Sequence, residues 1–296
     1  MTIWFITGAS RGFGLEIARQ ALAQGDRVVA TARDPRAVEA ALPGNSGRLL
    51  TLPLDVTDTG RAAAEAVAAA VDRFGGIDVL VNNAGRGLLG AVEETSDAEA
   101  RAIFDINVFG LLSVTRAVLP VMRRQGSGRI INLSSVGGFV SWAGSGLYCA
   151  TKFAVEALTE SLRIEAAPFG VQVTAVEPGP FRTDFLDPSS LHRTAAVIDA
   201  YATSSGALRT WADDTNHGQA GDPVKGAAAV LLLAATAEPP TRLPLGAATV
   251  TDIEDKLARV AREVDAWREV AGSTDFPAGD SAGEGSGPTG ELPCAV

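Results

Sequence analysis

Six short apolar, β-branched runs recur along the chain, separated by stretches rich in Ala and Leu. The runs are Ile3–Thr7, Arg27–Ala32, Leu49–Leu54, Asp78–Val81, Arg129–Leu133 and Val171–Val176. Helical candidates lie between them near Gly14–Gln24, Ala37–Leu42, Thr59–Phe74, Asp97–Gln125 and Tyr148–Ala167. The apolar runs are continuous rather than alternating, the pattern of strands buried on both faces of a parallel sheet. Parallel neighbours need crossover connections, and helices supply them. The expected fold is an α/β doubly wound parallel sheet of about seven strands, flanked by helices on both faces.

The rhythm breaks after Val176. Pro178–Ala220 mixes Phe181, Phe185, Leu186, Leu191, Tyr201, Leu208 and Trp211 with Ser, Thr, Asp and Pro, and reads as an irregular segment with short helices. A helix is expected from Asp222, then a short strand near Ala247–Val250. Thr251–Val270 is amphipathic, with Ile253, Leu257, Val260, Val264 and Trp267 at helical spacing. From Gly272 onward periodicity vanishes among Gly, Ser, Pro and Asp. One catalytic domain over 1–271 and a flexible tail over 272–296 are expected.

A net charge of −10 speaks against a nucleic-acid partner, because phosphate binding needs a basic face. Cys149 and Cys294 are the only cysteines, and His192 and His217 the only histidines. No disulfide framework and no metal site are expected from so few ligands. The two histidines fall in the irregular segment and read as solvated. No basic, cleavable leader precedes the first strand-like run, and the apolar run Gly226–Ala237 is too short to span a bilayer. A cytoplasmic protein without a membrane partner is expected.

Two motifs carry chemistry. The first is Thr7-Gly-Ala-Ser-Arg-Gly-Phe-Gly14, between the first strand and the first helix. Glycines permit a tight turn and close approach to a pyrophosphate, and a helix N-terminus offers free N–H groups and partial positive charge. The second is Tyr148 four residues before Lys152, with Ser135 thirteen residues upstream of Tyr148. One helical turn places the phenol and the ammonium on one face. A nearby positive charge favours the ionised phenol, so a lowered Tyr148 pKa is expected. Cys149 should point away from this face and pack.

The glycine spacing, with Thr7 before it, resembles the short-chain dehydrogenase/reductase family, and the resemblance continues from about Thr2 to Thr183. Asn82-Asn-Ala-Gly85 looks like that family's Asn-Asn-Ala-Gly motif. Ser135, Tyr148, Lys152 and Asn107 match its active-site residues in type and order. Pro178-Gly179 followed by Thr183 looks like the segment that cradles the nicotinamide end. The resemblance implies a Rossmann-like fold and hydride transfer between a nicotinamide cofactor and a carbonyl or carbinol carbon. Tyr148 would be the general acid or base. Lys152 would lower its pKa and hold the ribose, Ser135 would orient the substrate oxygen, and the Asn107 carbonyl would anchor a water leading to Lys152. The cofactor would contact Gly8, Ser10, Arg11, Gly12, Phe13, Gly14, Arg33, Asp55, Val56, Asn82, Ala84, Gly85, Tyr148, Lys152, Pro178, Gly179, Phe181 and Thr183.

The end of the second strand selects the cofactor. A carboxylate there binds the ribose 2′-hydroxyl of NAD, whereas an arginine accommodates the 2′-phosphate of NADP. Here Ala32 stands where the acid would be, and Arg33 follows. Arg11 offers a second cation, and Asp34 reads as an N-cap before Pro35. NADP(H) is therefore the expected cofactor.

The substrate reading is coarser. Val136, Phe139, Trp142, Phe181, Phe185, Leu186, Tyr201 and Trp211 suggest an apolar pocket for a bulky ketone or secondary alcohol, with residues 183–221 as a lid. Many tetrameric family members end in a strand carrying Val-Asp-Gly-Gly, which this chain lacks, so a homodimer through the long helices is expected. An NADP-binding redox sensor without turnover, or an isomerase or dehydratase using the cofactor transiently, are the alternatives.

Overall fold

The computed structural model describes residues 1–276 except Ser46 and Thr59. The remainder of the expected tail, 277–296, and the expected helix start at Thr59 lie outside the described residues.

Each strand-like run forms a strand: β1 (Ile3–Ile6), β2 (Arg27–Ala32), β3 (Leu49–Pro53), β4 (Val79–Asn82), β6 (Gly128–Leu133) and β7 (Val171–Pro178). A seventh strand, β9 (Arg242–Leu245), completes a sheet of order β3-β2-β1-β4-β6-β7-β9, and every pairing in it is parallel. The order reverses beside β1, and such a switch point opens a crevice at the carboxyl ends of the strands.

Helices cover both faces. On one side α1 (Gly12–Ala23), α2 (Pro35–Ala41) and α8 (Pro223–Ala235) bury Ile17, Val38 and Val230 against Ile6, Val28 and Val81. On the other, α3 (Arg61–Phe74) and α5 (Leu111–Gln125) bury Val67, Phe74, Val114 and Met122 against Phe5, Val29 and Ile130. Caps fix the helix starts. Asp34 accepts from Arg36 N at 3.1 Å ahead of Pro35, as its sequence position foretells. Asp222 caps α8 in the same way, 2.9 Å from Val224 N.

Four features differ from expectation. The expected single helix Asp97–Gln125 is α4 (Asp97–Phe104), a π-helical turn Asp105–Gly110 that contains Asn107, and then α5. By length and composition alone this rod could cross a membrane. Its residues Val114, Val118, Val121 and Met122 are instead packed against the sheet. The last strand lies before Gly246, not at Ala247–Val250; Gly246, at φ +104°, turns the chain, and Ala247 begins α9 (Ala247–Ala266). Pro244 fits there because an edge strand tolerates a missing donor. Two strands were not foreseen: β5 (Gly87–Leu89) and β8 (Leu191–Arg193) pair in parallel outside the main sheet.

The described residues divide into two units, Met1–Ile253 and those from Glu254 onward. The second holds the rest of α9, with Leu257, Val260 and Val264 at helical spacing, and α10 (Arg268–Gly272).

Candidate active site

A cleft of about 1070 Å³ lies at the carboxyl ends of the strands, lined by Gly8 after β1, Arg33 after β2, Asp55 after β3, Asn83 after β4 and Ser135 after β6. Its floor begins with the glycine turn. Gly8 and Gly12 have φ of +65° and +56°, which L side chains resist. A methyl at Gly14 would stand 2.5 Å from Asn83 Nδ2, so this glycine permits close packing and faces away from the cleft. No side chain caps α1 and no acidic residue sits in its first turn, so its leading N–H groups remain free for an anion. A cofactor pyrophosphate fits this cradle.

Asn82 and Asn83 divide their labour. Asn83 Nδ2 donates to Thr7 O at 2.9 Å and Gly8 O at 3.0 Å, which holds the glycine turn in shape. Asn82, named from sequence as a cofactor contact, is instead buried: its Nδ2 donates to Thr115 Oγ1 at 3.0 Å and Asn132 Oδ1 at 2.9 Å. Adjacent strand residues point opposite ways, and Asn83 takes the cleft side. Ala84 and Gly85 line the cleft as expected, as do Ser10, Phe13, Val56, Pro178, Gly179, Phe181 and Thr183.

Arg33 is exposed at the cleft edge. Arg11 does not stand free beside it. Its guanidinium donates to Ser189 Oγ and Ser190 Oγ at 2.7 Å each, and to Ser189 O at 3.0 Å, tying the glycine turn to the 183–221 segment. Asp55 accepts from Thr57 N at 3.0 Å, and this bond, assisted by the more distant Arg33 charge, keeps its carboxyl below the usual range. One cation and one imidazole missed by sequence reasoning join the cleft. Arg86 follows Gly85, and His192, exposed as expected, sits on β8 opposite Leu88 at the cleft's edge. Burial, then Arg86 and Arg33, push the His192 pKa down.

Ser135, Tyr148 and Lys152 come together. Tyr148 and Lys152 lie one turn apart in α6 (Gly146–Ala166). Lys152 Nζ donates to Leu133 O at 2.8 Å and lies 5.9 Å from the Tyr148 ring centre. Ser135 meets the phenol over Gly137, where an added Cβ would lie 3.2 Å from Tyr148 Cε1 and 3.4 Å from Ser135 Oγ. Ser135 Oγ accepts from Gly137 N at 3.0 Å, which leaves its own proton available to a ligand. Cys149 is buried beside Ser145, 3.3 Å from its hydroxyl, and packs, but it does not point away: its Sγ lies over Gly137 beside Tyr148 and Ser135, at the cleft.

The electrostatics run against the spacing argument. Burial pushes the Tyr148 phenol above its ordinary pKa, and the neighbouring Ser135 hydroxyl only opposes this. Burial also pulls Lys152 down to about 8, with Glu156 working the other way. The expected lowering of Tyr148 is thus not a property of the two side chains alone, because desolvation is the largest influence on the phenol and works against it.

Asn107 lies behind the cleft. Its Oδ1 accepts from Arg86 N at 3.0 Å, and its Nδ2 donates to Arg86 O at 2.9 Å and Thr151 Oγ1 at 3.0 Å. The Arg86 backbone thus takes one of the two lone pairs of the side-chain carbonyl. The π turn aims this side chain, and such turns often mark functional sites.

The segment after Thr183 forms the apolar wall. Val136, Trp142, Phe185, Leu186 and Trp211 line the cleft as expected, joined by Leu208. The Phe185 ring centre is 5.8 Å from that of Tyr148. Phe139 and Tyr201 do not contribute: Phe139 lies under Arg242, 5.9 Å away, and Tyr201 donates to Glu93 at 2.6 Å. Glu94 anchors the wall from below, accepting from Ala91 N at 2.7 Å and Ile198 N at 2.8 Å and pairing with Arg209 of α7 (Ser205–Thr215). The segment leaves and returns at one place: Arg182 N donates to Gly221 O at 2.9 Å, and Gly221 N to Pro180 O at 3.1 Å. Asp184, Asp187 and His217 also gather here, with Asp187 already accepting from Asn216 at 2.7 Å and 3.0 Å from His217 Nε2.

Comparison with known proteins agrees with this arrangement. A family model described as short chain dehydrogenase matches residues 2–194. Oxidoreductase BOA17 of Botryotinia fuckeliana is 38% identical over 91% of this chain and 97% of its own. A 3-ketodihydrosphingosine reductase of Bacteroides thetaiotaomicron is 36% identical over 82% of this chain and 87% of its own. The crystal structure of a short-chain dehydrogenase from Streptomyces avermitilis superposes with a TM-score of 0.87 at 43% identity, covering 93% of this chain and 99% of that one.

Proposed function

Since the chain belongs to the short-chain dehydrogenase family of oxidoreductases, we propose that it is an NADPH-dependent carbonyl reductase, or alcohol dehydrogenase in the reverse direction, acting on a bulky apolar substrate. The observation that carries this reading is the meeting of Ser135, Tyr148 and Lys152 beside the glycine cradle, under an apolar wall.

Gly8, Gly12 and the N-terminus of α1 would hold the pyrophosphate, and Arg33, with Ala32 in place of an acid, the 2′-phosphate. NADP(H), when bound, supplies or accepts the hydride at the substrate carbon. In reduction, the Tyr148 hydroxyl gives its proton to the substrate oxygen as negative charge develops there. Ser135 donates its free proton to the same oxygen and fixes its direction. Lys152, charged below about 8, holds the charge left on the phenol. Its attraction has to overcome the cost of burying a phenolate, which is why the lysine sits dry and hydrogen-bonded rather than in solvent. In oxidation Tyr148 runs the same transfer backward as the base.

Phe185, Leu186, Leu208 and Trp211 present apolar surface to the substrate, which suits a bulky ketone better than a sugar. The ketone reductase named among the relatives is in keeping with this. The same reading takes the enzyme to be a cytoplasmic homodimer, with Phe109 and Phe153, exposed on adjacent elements, as apolar contact.

The test is a panel of bulky ketones and secondary alcohols followed by nicotinamide absorbance, with NADPH and NADH titrated in parallel. We expect turnover of an apolar ketone and much tighter NADPH binding. Removing the 2′-phosphate contact in Arg33→Ala should cost NADPH about 1.5–3 kcal/mol and leave NADH unchanged. Equal affinities for both cofactors in the unmodified enzyme would reject the cofactor reading.

A further inference from the structure

Behind Ser135, one turn along α6 from Lys152, three carboxylates gather around one guanidinium. Glu156 Oε2 accepts from Arg242 Nε at 2.9 Å. Glu160, a further turn along, pairs with Arg242 Nη2. Glu177, near the end of β7, stands with Oε1 3.6 Å from Arg242 Nε. Helix α6, strand β7 and strand β9 thus each contribute, and Ser134 joins from the end of β6. An added Cβ at Gly138 would lie 2.5 Å from Ser134 Oγ and 3.1 Å from Glu156 Oε1, so hydroxyl and carboxylate face one point.

Glu156 and Glu177 are only 5% and 1% exposed. Two buried carboxylates share one guanidinium that also pairs with the exposed Glu160, which leaves buried negative charge in excess, and that is costly. Among the described residues Glu156 Oε1, Glu177 Oε1 and Ser134 Oγ have no hydrogen-bond partner, and the Ser134 hydroxyl can serve only Glu156, beside which it stands. A single proton shared by the pair corrects both faults, since it supplies a donor and removes one charge. Burial pushes the Glu177 carboxyl up, and the Glu156 charge adds to it. Burial raises Glu156 as well, but Ser134, Arg242 and Glu177 all draw it back. Arg242 Nε stands 2.9 Å from Glu156 and 3.6 Å from Glu177, which favours the charge on Glu156 and the proton on Glu177.

Lys152 has need of that charge. Its ammonium is buried, with one hydrogen bond, to Leu133 O. The other groups around it are the Tyr148 ring and the Asn107 amide, which shares the space over Gly85 with Nζ. Both are neutral while Tyr148 keeps its proton. Glu156 lies one turn beyond Lys152 on the buried side of α6, near enough for its charge to oppose the fall caused by burial though not in direct contact. We propose that Glu156 is a positioning residue that keeps Lys152 charged, and that Glu177 is its proton-bearing partner, so that one buried proton sets the charge of the active-site lysine.

This rests on the reading of Lys152 as the group that holds the Tyr148 charge, so the decisive measurement follows the lysine itself. The chain has three lysines, Lys152, Lys225 and Lys256. Protein carrying ¹³C at lysine Cε gives three signals to follow against pH, and Lys225→Arg and Lys256→Arg identify two of them. The Lys152 signal should titrate near about 8 in the unmodified protein. Glu156→Gln should weaken its proton affinity roughly tenfold or more, while Glu156→Asp, which keeps the charge, should hold it near the original value. Glu177→Gln should change it by less than about twofold, because the amide reproduces a neutral acid. Should Glu156→Gln not fold, Glu156→Leu serves in its place, since it leaves no unpaired amide. An unmoved midpoint on loss of the Glu156 charge, or an equal drop in Glu177→Gln, overturns the proposal. If the lysine midpoint moves and the alkaline limb of the activity profile does not follow, the proposal stands and the catalytic reading of Lys152 falls.

Discussion

At the scale of single residues, side-chain identity and spacing were legible, but environment was not. Tyr148 and Lys152 had to share a helix face because four residues make about one turn, and they do. The direction of the Tyr148 pKa could not be read in this way, because burial, which no spacing records, dominates it. Asn82 and Asn83 show the same limit: the motif marks a pair, and only the strand's end decides which member faces the cleft. A Tyr148→Phe variant isolates the phenol. It removes one oxygen and leaves the glycine turn, Arg33 and the apolar wall in place. Turnover should fall by orders of magnitude with NADPH affinity changed by less than about twofold, as expected for loss of a group that acts on the reacting oxygen. Tracking both by absorbance and by fluorescence titration separates the two effects, and retained turnover would remove Tyr148 from its role.

Elements were legible where hydrophobic period and capping agree. Asp34-Pro35 and Asp222-Pro223 announce α2 and α8, and both helices start there. Elements governed by distant partners were not. Strands β5 and β8 are three residues each and exist because residues 87–89 and 191–193 meet, which neither segment declares alone. The π turn at Asn107 is set by the Arg86 backbone and Thr151, distant in sequence. Glu94 belongs to this class. It reads as one acid among neighbours, yet it carries Ala91 N, Ile198 N and Arg209 at once. A Glu94→Ala change leaves Arg209 without its carboxylate and two N–H groups without an acceptor. The expected outcome is a Tm lower by a few degrees and a substrate KM raised severalfold, with NADPH affinity unchanged. A fall in NADPH affinity equal to the rise in KM would mean that Glu94 supports the whole cleft rather than its apolar wall.

For the molecule as a whole, the continuous apolar runs were enough to specify the doubly wound sheet, because only strands covered on both faces can afford them. What they left open was the charge stored between α6, β7 and β9. Glu177 binds its proton more tightly in the folded chain than in the unfolded one. Its contribution is complete below the unfolded carboxyl range, near about 4.3, and is lost as pH rises toward the folded midpoint. The unmodified protein should therefore lose stability relative to Glu177→Gln as pH is raised from about 5 to about 9, and the Lys152 contribution, common to both, cancels. Parallel thermal unfolding curves at the two ends of that range would contradict this assignment.

The closure of residues 183–220 at Arg182 and Gly221 has a bearing on how such a protein can change over generations. A loop whose two ends are fastened to each other is anchored independently of what lies between them. Changes inside it that spare its other anchors, at Ser189, Ser190, β8 and Arg209, leave in place the strand that feeds it and the helix that follows. Two lineages could thus exchange this piece and retain their redox chemistry, acquiring a new diet without relearning how to hold the coenzyme.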